Sequence, residues 1–223
     1  MNTELSTLRE YKARIPCAGV ELHGDIAIPA GASGIVIFVH GSGSSRLSPR
    51  NRMVASEMNH QGLATLLFDL MTASEAVGEK LTGELRFNIP FLTDRLAAVI
   101  RWSQKEKQLK NLGTGLFGAS TGAAAALCAA ARIPEVQAVV SRGGRTDLAG
   151  TEAQHVFAPT LLIVGENDRP VIRWNEETLN RLPGIKHLSQ IASATHLFEE
   201  PGALEEVATI AAAWFKHYLT PIT

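Results

Sequence analysis

The chain has 223 residues, which suits one α/β domain, and we expect a single domain over residues 1–223. Hydrophobic residues make up 45% and charged residues 19%, so the chain can bury a sheet between helices and is not an intrinsically disordered protein. The net charge of -1 steers the chain neither to nucleic acid nor to an anionic membrane, so we expect no such partners. No run approaches the ~20 apolar residues of a membrane span, and we therefore predict a cytoplasmic protein.

The cysteines of the chain, Cys17 and Cys128, lie far apart and do not have the spacing of metal ligands. Cys128 falls in an alanine-rich stretch that predicts a helix, where a small apolar side chain fits a buried face. We expect both to be reduced structural thiols, and the sequence predicts neither a metal nor a cofactor.

The first elements predict one edge and the centre of a sheet. Residues 19–29 alternate apolar with polar side chains, which indicates a half-exposed strand that pairs antiparallel with residues 11–15. Residues 34–40 are a continuous apolar run, typical of a strand buried on both faces of a parallel sheet. An edge hairpin is therefore followed by a central strand.

Helices and strands alternate through the rest of the chain. We predict strands over residues 63–69, 136–140, 159–164 and 185–191, and helices over residues 50–61, 90–107, 171–182 and 202–219. Residues 70–89 show no clean period and predict an excursion over one end of the sheet that helps to roof a site. This alternation specifies a mostly parallel sheet with helices on both faces.

The predicted helix over residues 90–107 has one apolar face. That face is formed by Leu92, Leu96, Val99 and Ile100. Its opposite side carries Asp94, Arg95 and Arg101, which we expect to be exposed to solvent.

The motif Gly118-Ala-Ser120-Thr-Gly122 joins an apolar run to the alanine-rich helix. Gly-x-Ser-x-Gly between a strand and a helix is typical of a nucleophile elbow, because flanking glycines allow the cramped turn that exposes the serine. A turn that only connects two elements can have the same residues, so the motif indicates a nucleophile only if the other loops supply a base and an acid. The overlapping Gly113-x-Gly115-x-x-Gly118 resembles a dinucleotide-binding motif, but its last glycine falls where the strand ends, and we discard that interpretation.

A serine nucleophile needs a histidine base, and the base needs a carboxylate to orient it. Such groups lie beyond the carboxyl ends of parallel strands, in the chain order serine, acid, histidine. His196 follows the last predicted strand in a loop of small residues and is the candidate base. Asp168 follows the preceding strand and is the candidate acid, with Glu166 and Asp147 as alternatives.

Backbone amides of two loops are candidates for an oxyanion hole. Ser42 lies in the glycine-rich loop after the first central strand, and Thr121 directly follows the serine of the elbow. We expect His40 to organise the first loop rather than to act as a base. That loop lacks the Gly-Lys-Ser/Thr ending of a phosphate-binding P-loop.

Arginines follow several of the same strands. Arg46, Arg142 and Arg145 lie in loops that should face the pocket, where a guanidinium fork would bind a substrate carboxylate. The alternative is that these arginines are solvated or pair with nearby acids. The first interpretation favours small anionic esters or lactones.

The chain resembles the α/β-hydrolase superfamily and, within it, the dienelactone hydrolase-like branch. The segments that carry the resemblance are His40-Gly-Ser-Gly-Ser-Ser-Arg46, Gly118-Ala-Ser-Thr-Gly122, Ser141-Arg-Gly-Gly-Arg145, Gly165-Glu-Asn-Asp168 and Ala194-Thr-His-Leu-Phe198. The resemblance implies the α/β-hydrolase fold. It also implies no separate lid domain, because only residues 145–158 are available where many members insert a lid. One departure is Ser120, since the dienelactone hydrolases that name the branch carry a cysteine nucleophile there.

We therefore expect a serine hydrolase that cleaves a small ester, thioester or lactone through an acyl-enzyme on Ser120. A peptidase or an acyltransferase would use the same triad. A non-catalytic binding module would be expected to have lost one of these groups, and none is missing. The expected partner is a small-molecule substrate, and both a monomer and a homodimer stay open.

Overall fold

The computed structural model describes residues 8–222. The strands are β1 Arg9–Cys17, β2 Val20–Ile28, β3 Gly34–Val39, β4 Ala64–Phe68, β5 Gly113–Ala119, β6 Val136–Arg142, β7 Thr160–Gly165 and β8 Lys186–Ile191. The α-helices are α1 Pro49–His60, α2 Ala73–Thr82, α3 Ile89–Ser103, α4 Thr121–Arg132, α5 Arg169–Arg181 and α6 Ala203–Tyr218, with a 3-10 segment at Thr146–His155.

The strands form one eight-stranded sheet in the order β1-β2-β4-β3-β5-β6-β7-β8. β1 pairs antiparallel with β2, and β2 pairs antiparallel with β4, which confirms the predicted edge hairpin. The neighbouring pairs from β4 to β8 are all parallel. The carboxyl ends of the central strands therefore meet at one edge of the sheet, where the predicted site residues lie.

The two faces of the sheet carry separate cores. Successive residues of β3 point to opposite faces, so Ile35 and Ile37 pack toward α3 and α4, whereas Val36 and Phe38 pack toward α1 and α6. Every residue of β3 is buried, as the continuous apolar run predicts. This confirms a mostly parallel sheet with helices on both faces. Cys17 and Cys128 are buried free thiols.

Helix α2 lies in the stretch for which the sequence predicts only an excursion. Its start is fixed by a capping box, in which the Thr72 hydroxyl accepts from the Glu75 amide and the Glu75 carboxylate accepts from the Thr72 amide. Gly83, at φ 69°, ends the helix. Only Glu79 of the helix is buried, so the apolar period on which helix prediction relies is absent.

Three predictions about element boundaries and faces are wrong. Helix α3 ends at Ser103 instead of Lys107, and β6 extends through Arg142, which therefore belongs to a strand end rather than to a loop. Arg95 is buried instead of exposed, because its Nη2 donates to Glu75 Oε1 at 2.6 Å. The partner comes from α2, and the period of α3 alone carries no information about it. Within residues 8–222, no helix combines the length and apolar character needed to cross a membrane.

Candidate active site

Ser120 stands on the turn between β5 and α4 with φ 51° and ψ -122°. Such a conformation is costly for a residue with a side chain, about 1–3 kcal/mol, and persists only where the surroundings enforce it. The Ser120 amide donates to Arg142 O at 3.2 Å, and the Arg145 amide donates to Ser120 O at 3.0 Å. The chain after β6 therefore holds the strained turn from one side.

The glycines around Ser120 are required by close backbone approaches. A Cβ on Gly118 would lie 2.5 Å from Ala123 Cα, and one on Gly122 would lie 2.2 Å from the carbonyl oxygen of Val39. A Cβ on Gly41 would lie 2.9 Å from Ser120 Cβ. The loop after β3 thus runs directly against the serine, and the motif is glycine at these positions because no side chain fits.

His196 and Asp168 are joined by a short hydrogen bond, in which His196 Nδ1 lies 2.6 Å from Asp168 Oδ2. The Asp168 side chain is 11% exposed and that of His196 is 40% exposed, so the acid is shielded while the imidazole reaches solvent. If Gly143 carried a Cβ, that atom would lie 3.5 Å from Cε1 of His196. The imidazole ring therefore lies next to Gly143, in the segment after β6 whose neighbouring residues hydrogen-bond to the Ser120 backbone. Within residues 8–222, no hydrogen bond joins the Ser120 hydroxyl to His196. Such bonds commonly tighten only when substrate binds.

The alternative acids have other partners. The Asp147 carboxylate accepts hydrogen bonds from Nε and Nη2 of Arg145, at 2.9 and 2.8 Å. Glu166 accepts from the Ser193 amide at 2.7 Å and so fixes the loop that carries His196. Of the three acids considered from the sequence, the structure brings Asp168 to the histidine.

Glu200 also fixes the His196 loop, a role that no motif in the sequence predicts. Its Oε1 accepts from the amide and the hydroxyl of Thr195, at 3.0 and 2.6 Å. These hydrogen bonds, the hydroxyl first, lower the pKa of the Glu200 carboxyl, which therefore stays charged. Ser193 and Phe198 of the same loop have positive φ values of 58° and 56°, so the carboxylate holds a strained segment. An acid shortly after a predicted catalytic histidine is the only sequence signal for it.

The loop after β3 is organised by buried hydrogen bonds. Burial lowers the pKa of His40, whose Nδ1 donates to Gly41 O at 2.9 Å while Nε2 accepts from the Leu70 amide at 3.1 Å. Both ring nitrogens are engaged, as expected for a loop-organising residue. The Ser42 amide donates to Thr121 Oγ1 at 3.0 Å, which ties the two predicted oxyanion donors together. Thr121 is the first residue of α4, so its own amide has no acceptor within the helix.

A cavity of about 610 Å³ opens beside this loop. Its lining includes Ser42 and Thr121 and, from α2, Ala76 and Glu79, so residues 70–89 do cover one side of it, as predicted. Ser120, Asp168 and His196 are not part of this lining. A larger cavity of about 810 Å³ lies between α1 and the edge hairpin, away from every predicted catalytic residue. Within residues 8–222, no group of three or more His, Cys, Asp or Glu side chains is arranged to hold a metal ion.

The three predicted substrate-binding arginines have different surroundings. Arg46 lines the cavity, but its guanidinium pairs with Asp69 and lies 3.6 Å from Asp25. Arg145 is held by Asp147 and lies over the Trp174 ring, 4.3 Å from its centroid. Arg142 is buried and pairs with no carboxylate of the described residues. Neither Arg142 nor Arg145 belongs to the lining of the 610 Å³ cavity.

Known proteins resemble this chain over nearly its whole length. A crystallised dienelactone hydrolase from Anabaena variabilis is 53% identical, with a TM-score of 0.93 over 95% of this chain and 99% of that one. An esterase from Pyrococcus furiosus shares the fold at 19% identity, with a TM-score of 0.72 over 95% of this chain and 92% of its own.

Two curated relatives from Mycobacterium tuberculosis strains, both named putative phosphoribosyl transferase, are 47% identical over 214 residues. The match covers 95% of this chain but 47% of theirs, so the chain spans about half the length of the curated relatives it matches. Residues 22–217 match the model of the dienelactone hydrolase family. Because that match runs from β2 to α6 and includes the elbow, the chain belongs to the dienelactone hydrolase family of α/β-hydrolases.

Proposed function

We propose that the protein is a serine hydrolase that cleaves small carboxylic esters, thioesters or lactones through an acyl-enzyme on Ser120. The observation that carries the proposal is the strained elbow of Ser120 at the same sheet edge as the Asp168–His196 hydrogen bond. Family membership supports hydrolysis, and the geometry supports serine as the nucleophile where the name-giving enzymes use cysteine. The hydroxyl needs the histidine more than a thiol would, because it is far less acidic.

In the first half of the reaction, Ser120 Oγ forms a bond to the substrate carbonyl carbon and its proton moves to His196 Nε2. Asp168 keeps the Nδ1–H of His196 in place and stabilises the imidazolium that forms. The carbonyl electron pair becomes an oxyanion, which accepts from the amides of Thr121 and Ser42. The Ser42 amide would exchange its bond to Thr121 Oγ1 for one to the oxyanion, and the N-terminus of α4 adds favourable potential.

Collapse of this intermediate breaks the bond to the leaving oxygen or sulfur, which takes the proton from His196 Nε2. In the second half, a water molecule transfers a proton to Nε2 while its oxygen bonds to the acyl carbon. The new oxyanion collapses, the bond to Ser120 Oγ breaks, and Oγ regains its proton. The acid product leaves and the resting enzyme is restored.

The size of the cavity supports a small substrate. Its volume of about 610 Å³ suits a ligand of modest size, and its walls mix apolar α2 residues with Lys80 and Arg86. Between β6 and β7 stands only the 3-10 segment Thr146–His155, which is too short for a lid domain. The curated relatives are about twice as long, and the activity in their name is not proposed for this chain.

The test is covalent labelling followed by an ester panel. A fluorophosphonate probe should add its mass to the peptide that holds Ser120, and Ser120→Ala should abolish both labelling and esterase activity. Ser56→Ala, a change at an exposed serine on α1, is the control and should label normally. Retention of esterase activity by Ser120→Ala would sink the proposal. A faster reaction with amides, or acyl transfer to added alcohols, would point to a peptidase or an acyltransferase instead.

A further inference from the structure

Arg142 lies at the end of β6 with 8% of its surface exposed, and no carboxylate of residues 8–222 pairs with it. Its one described side-chain hydrogen bond runs from Nη2 to Asn51 Oδ1 at 3.4 Å, which is long for a bond of this type. The Nε atom is buried and has no acceptor among the described residues. Arg46 and Arg145, by contrast, both have acidic partners.

Keeping such a charge inside the protein costs free energy. A buried ion is expensive by several kcal/mol unless a partner of opposite charge compensates it. Burial, and then the charge of Arg50, lower the pKa of Arg142 to about 10. This value is still far above neutral pH, so Arg142 carries its charge under ordinary conditions without a described counter-charge.

The groups around Arg142 add positive potential. Arg50 lies in the first turn of α1, next to Asn51, and its Nε is also buried without an acceptor. Its Nη1 donates to Glu199 Oε1 at 3.1 Å on the exposed side, which leaves the inward Nε unused. Asn51, which accepts from Arg142, lies in the first turn of the 12-residue helix α1, and the N-terminus of a helix favours anions.

The region adjoins the candidate triad without belonging to the 610 Å³ cavity. The carbonyl oxygen of Arg142 accepts from the Ser120 amide, and the next residue, Gly143, lies under the His196 ring. Arg142 Cζ lies 5.8 Å from the centroid of Phe198, which packs in the core on the α1 and α6 face. Neither Arg142 nor Arg50 lines the cavity under α2.

We propose that Arg142 and Arg50 form a binding site for a carboxylate or phosphate group beside the His196 loop. Guanidinium groups bind both oxyanions through paired N–H donors, and an anion here would neutralise the buried charge. The anion is either free in solution or part of the substrate. The second case rests on the proposed function, whereas binding of a free anion does not.

The first arm of the test measures thermal unfolding at constant ionic strength, with inorganic phosphate replacing sodium chloride. The midpoint of wild-type unfolding should rise with phosphate and saturate, as for a ligand that binds only the folded state. Arg142→Met should lose the phosphate-dependent rise, and Arg50→Met should show less of it. Without phosphate, Arg142→Met should unfold at or above the wild-type temperature, because it removes an uncompensated charge. Arg173→Met, at an exposed arginine on α5, is the control and should respond like wild type.

The second arm compares kcat/KM for matched esters with and without a terminal carboxylate, with phosphate as inhibitor. The site belongs to the substrate if two results are obtained together. The preference of kcat/KM for the carboxylate ester falls by about tenfold or more in Arg142→Met, and phosphate inhibits competitively. Phosphate stabilisation without inhibition or carboxylate preference assigns it to a free anion. Equal phosphate responses of wild type and Arg142→Met, with no carboxylate preference in either, overturn the proposal. Because the first arm needs no turnover, an inactive protein would contradict the proposed function alone.

Discussion

Thr121 of the elbow, residues 118–122, and the roof helix α2 line the same cavity, but the elbow and the helix are fixed by different interactions. The elbow is packed backbone against backbone, so that added Cβ atoms at Gly118 and Gly122 would lie 2.5 and 2.2 Å from main-chain atoms. Helix α2 buries one residue, Glu79, and leaves Val77 and Leu81 63% and 86% exposed. Its attachment depends on ion pairs of Glu79 with Arg86 and of Glu75 with Arg95.

This difference separates the two tasks of an active site. In the proposed function, the serine that reacts sits where steric packing leaves one conformation, as pre-organised catalysis requires. Helix α2, the wall that would contact the variable part of a substrate, is held by ion pairs. Single substitutions or a change of pH can weaken these ion pairs. We expect changes on the elbow side to abolish turnover or folding, and changes in the roof to alter binding by small factors.

The largest effect is expected on the catalytic side, for Asp168→Asn. Replacement of the carboxylate leaves the shape but favours the wrong tautomer of His196, so kcat should fall by roughly 10⁴-fold. Asp147→Asn is the matched control at the other loop acid, and it should lose little activity because Asp147 pairs with Arg145. If Asp147→Asn lost its activity while Asp168→Asn kept it, the acid that orients His196 would be Asp147, which follows the earlier strand β6.

The same glycine-to-alanine change should have opposite signs in the two regions. In Gly122→Ala the new Cβ meets the Val39 carbonyl oxygen, a backbone atom that cannot move aside, and the free energy of unfolding should fall by about 3 kcal/mol or more. In Gly78→Ala, within α2, nothing lies within 4 Å of the new Cβ. Alanine there should stabilise by about 0.5–1 kcal/mol. Denaturant unfolding measures both, and equal effects would remove the distinction between the regions.

A smaller effect tests the link between the two oxyanion loops. Thr121→Val keeps the side-chain shape but removes the acceptor of the Ser42 amide, a bond with a net contribution of about 1 kcal/mol. If the bond positions that amide, kcat should fall by up to about tenfold, and Thr121→Ser should restore most of it. An increase in kcat for Thr121→Val would mean that breaking this bond, which the oxyanion has to replace, costs more than the positioning of the amide gains.

The smallest effect concerns the roof and its pH dependence. Burial raises the pKa of Glu79, but hydrogen bonds from Arg86 and from the amides of Leu85 and Arg86 outweigh it, so the pKa lies below its usual 4.5. A lowered carboxyl pKa stabilises the folded state above about pH 4.5, and this contribution disappears as the pH falls through the folded-state value. The difference in unfolding temperature between wild type and Glu79→Gln should therefore shrink below pH 4.5. A difference independent of pH would show that the ion pair does not hold the roof.

The sequence by itself predicted the elements with strong local signals. Continuous apolar runs identified the buried strands. Gly118, Ser120 and Gly122 indicated the elbow, because the residues that the cramped turn requires are close together in the sequence. Helix α2 escaped prediction since its stabilising groups are a capping box and ion pairs rather than an apolar stripe. The chain order placed Asp168 and His196 at one sheet edge, while Glu166 and Asp147 stayed open as alternatives.

Only the tertiary structure decided which charges meet. Arg46 pairs with Asp69 and Asp25, whereas Arg142 is left without a described carboxylate, although both arginines follow or end strands of the same sheet. The ion pairs of Arg46 join residues far apart in the chain, and their formation depends on distances of a few ångströms that no local pattern encodes. The glycine–serine–glycine pattern of the elbow lies on neighbouring residues and can be read along the chain, although one of the atoms that excludes a side chain at Gly122 is the distant Val39 carbonyl oxygen. The partner of a side chain is set by how distant elements pack.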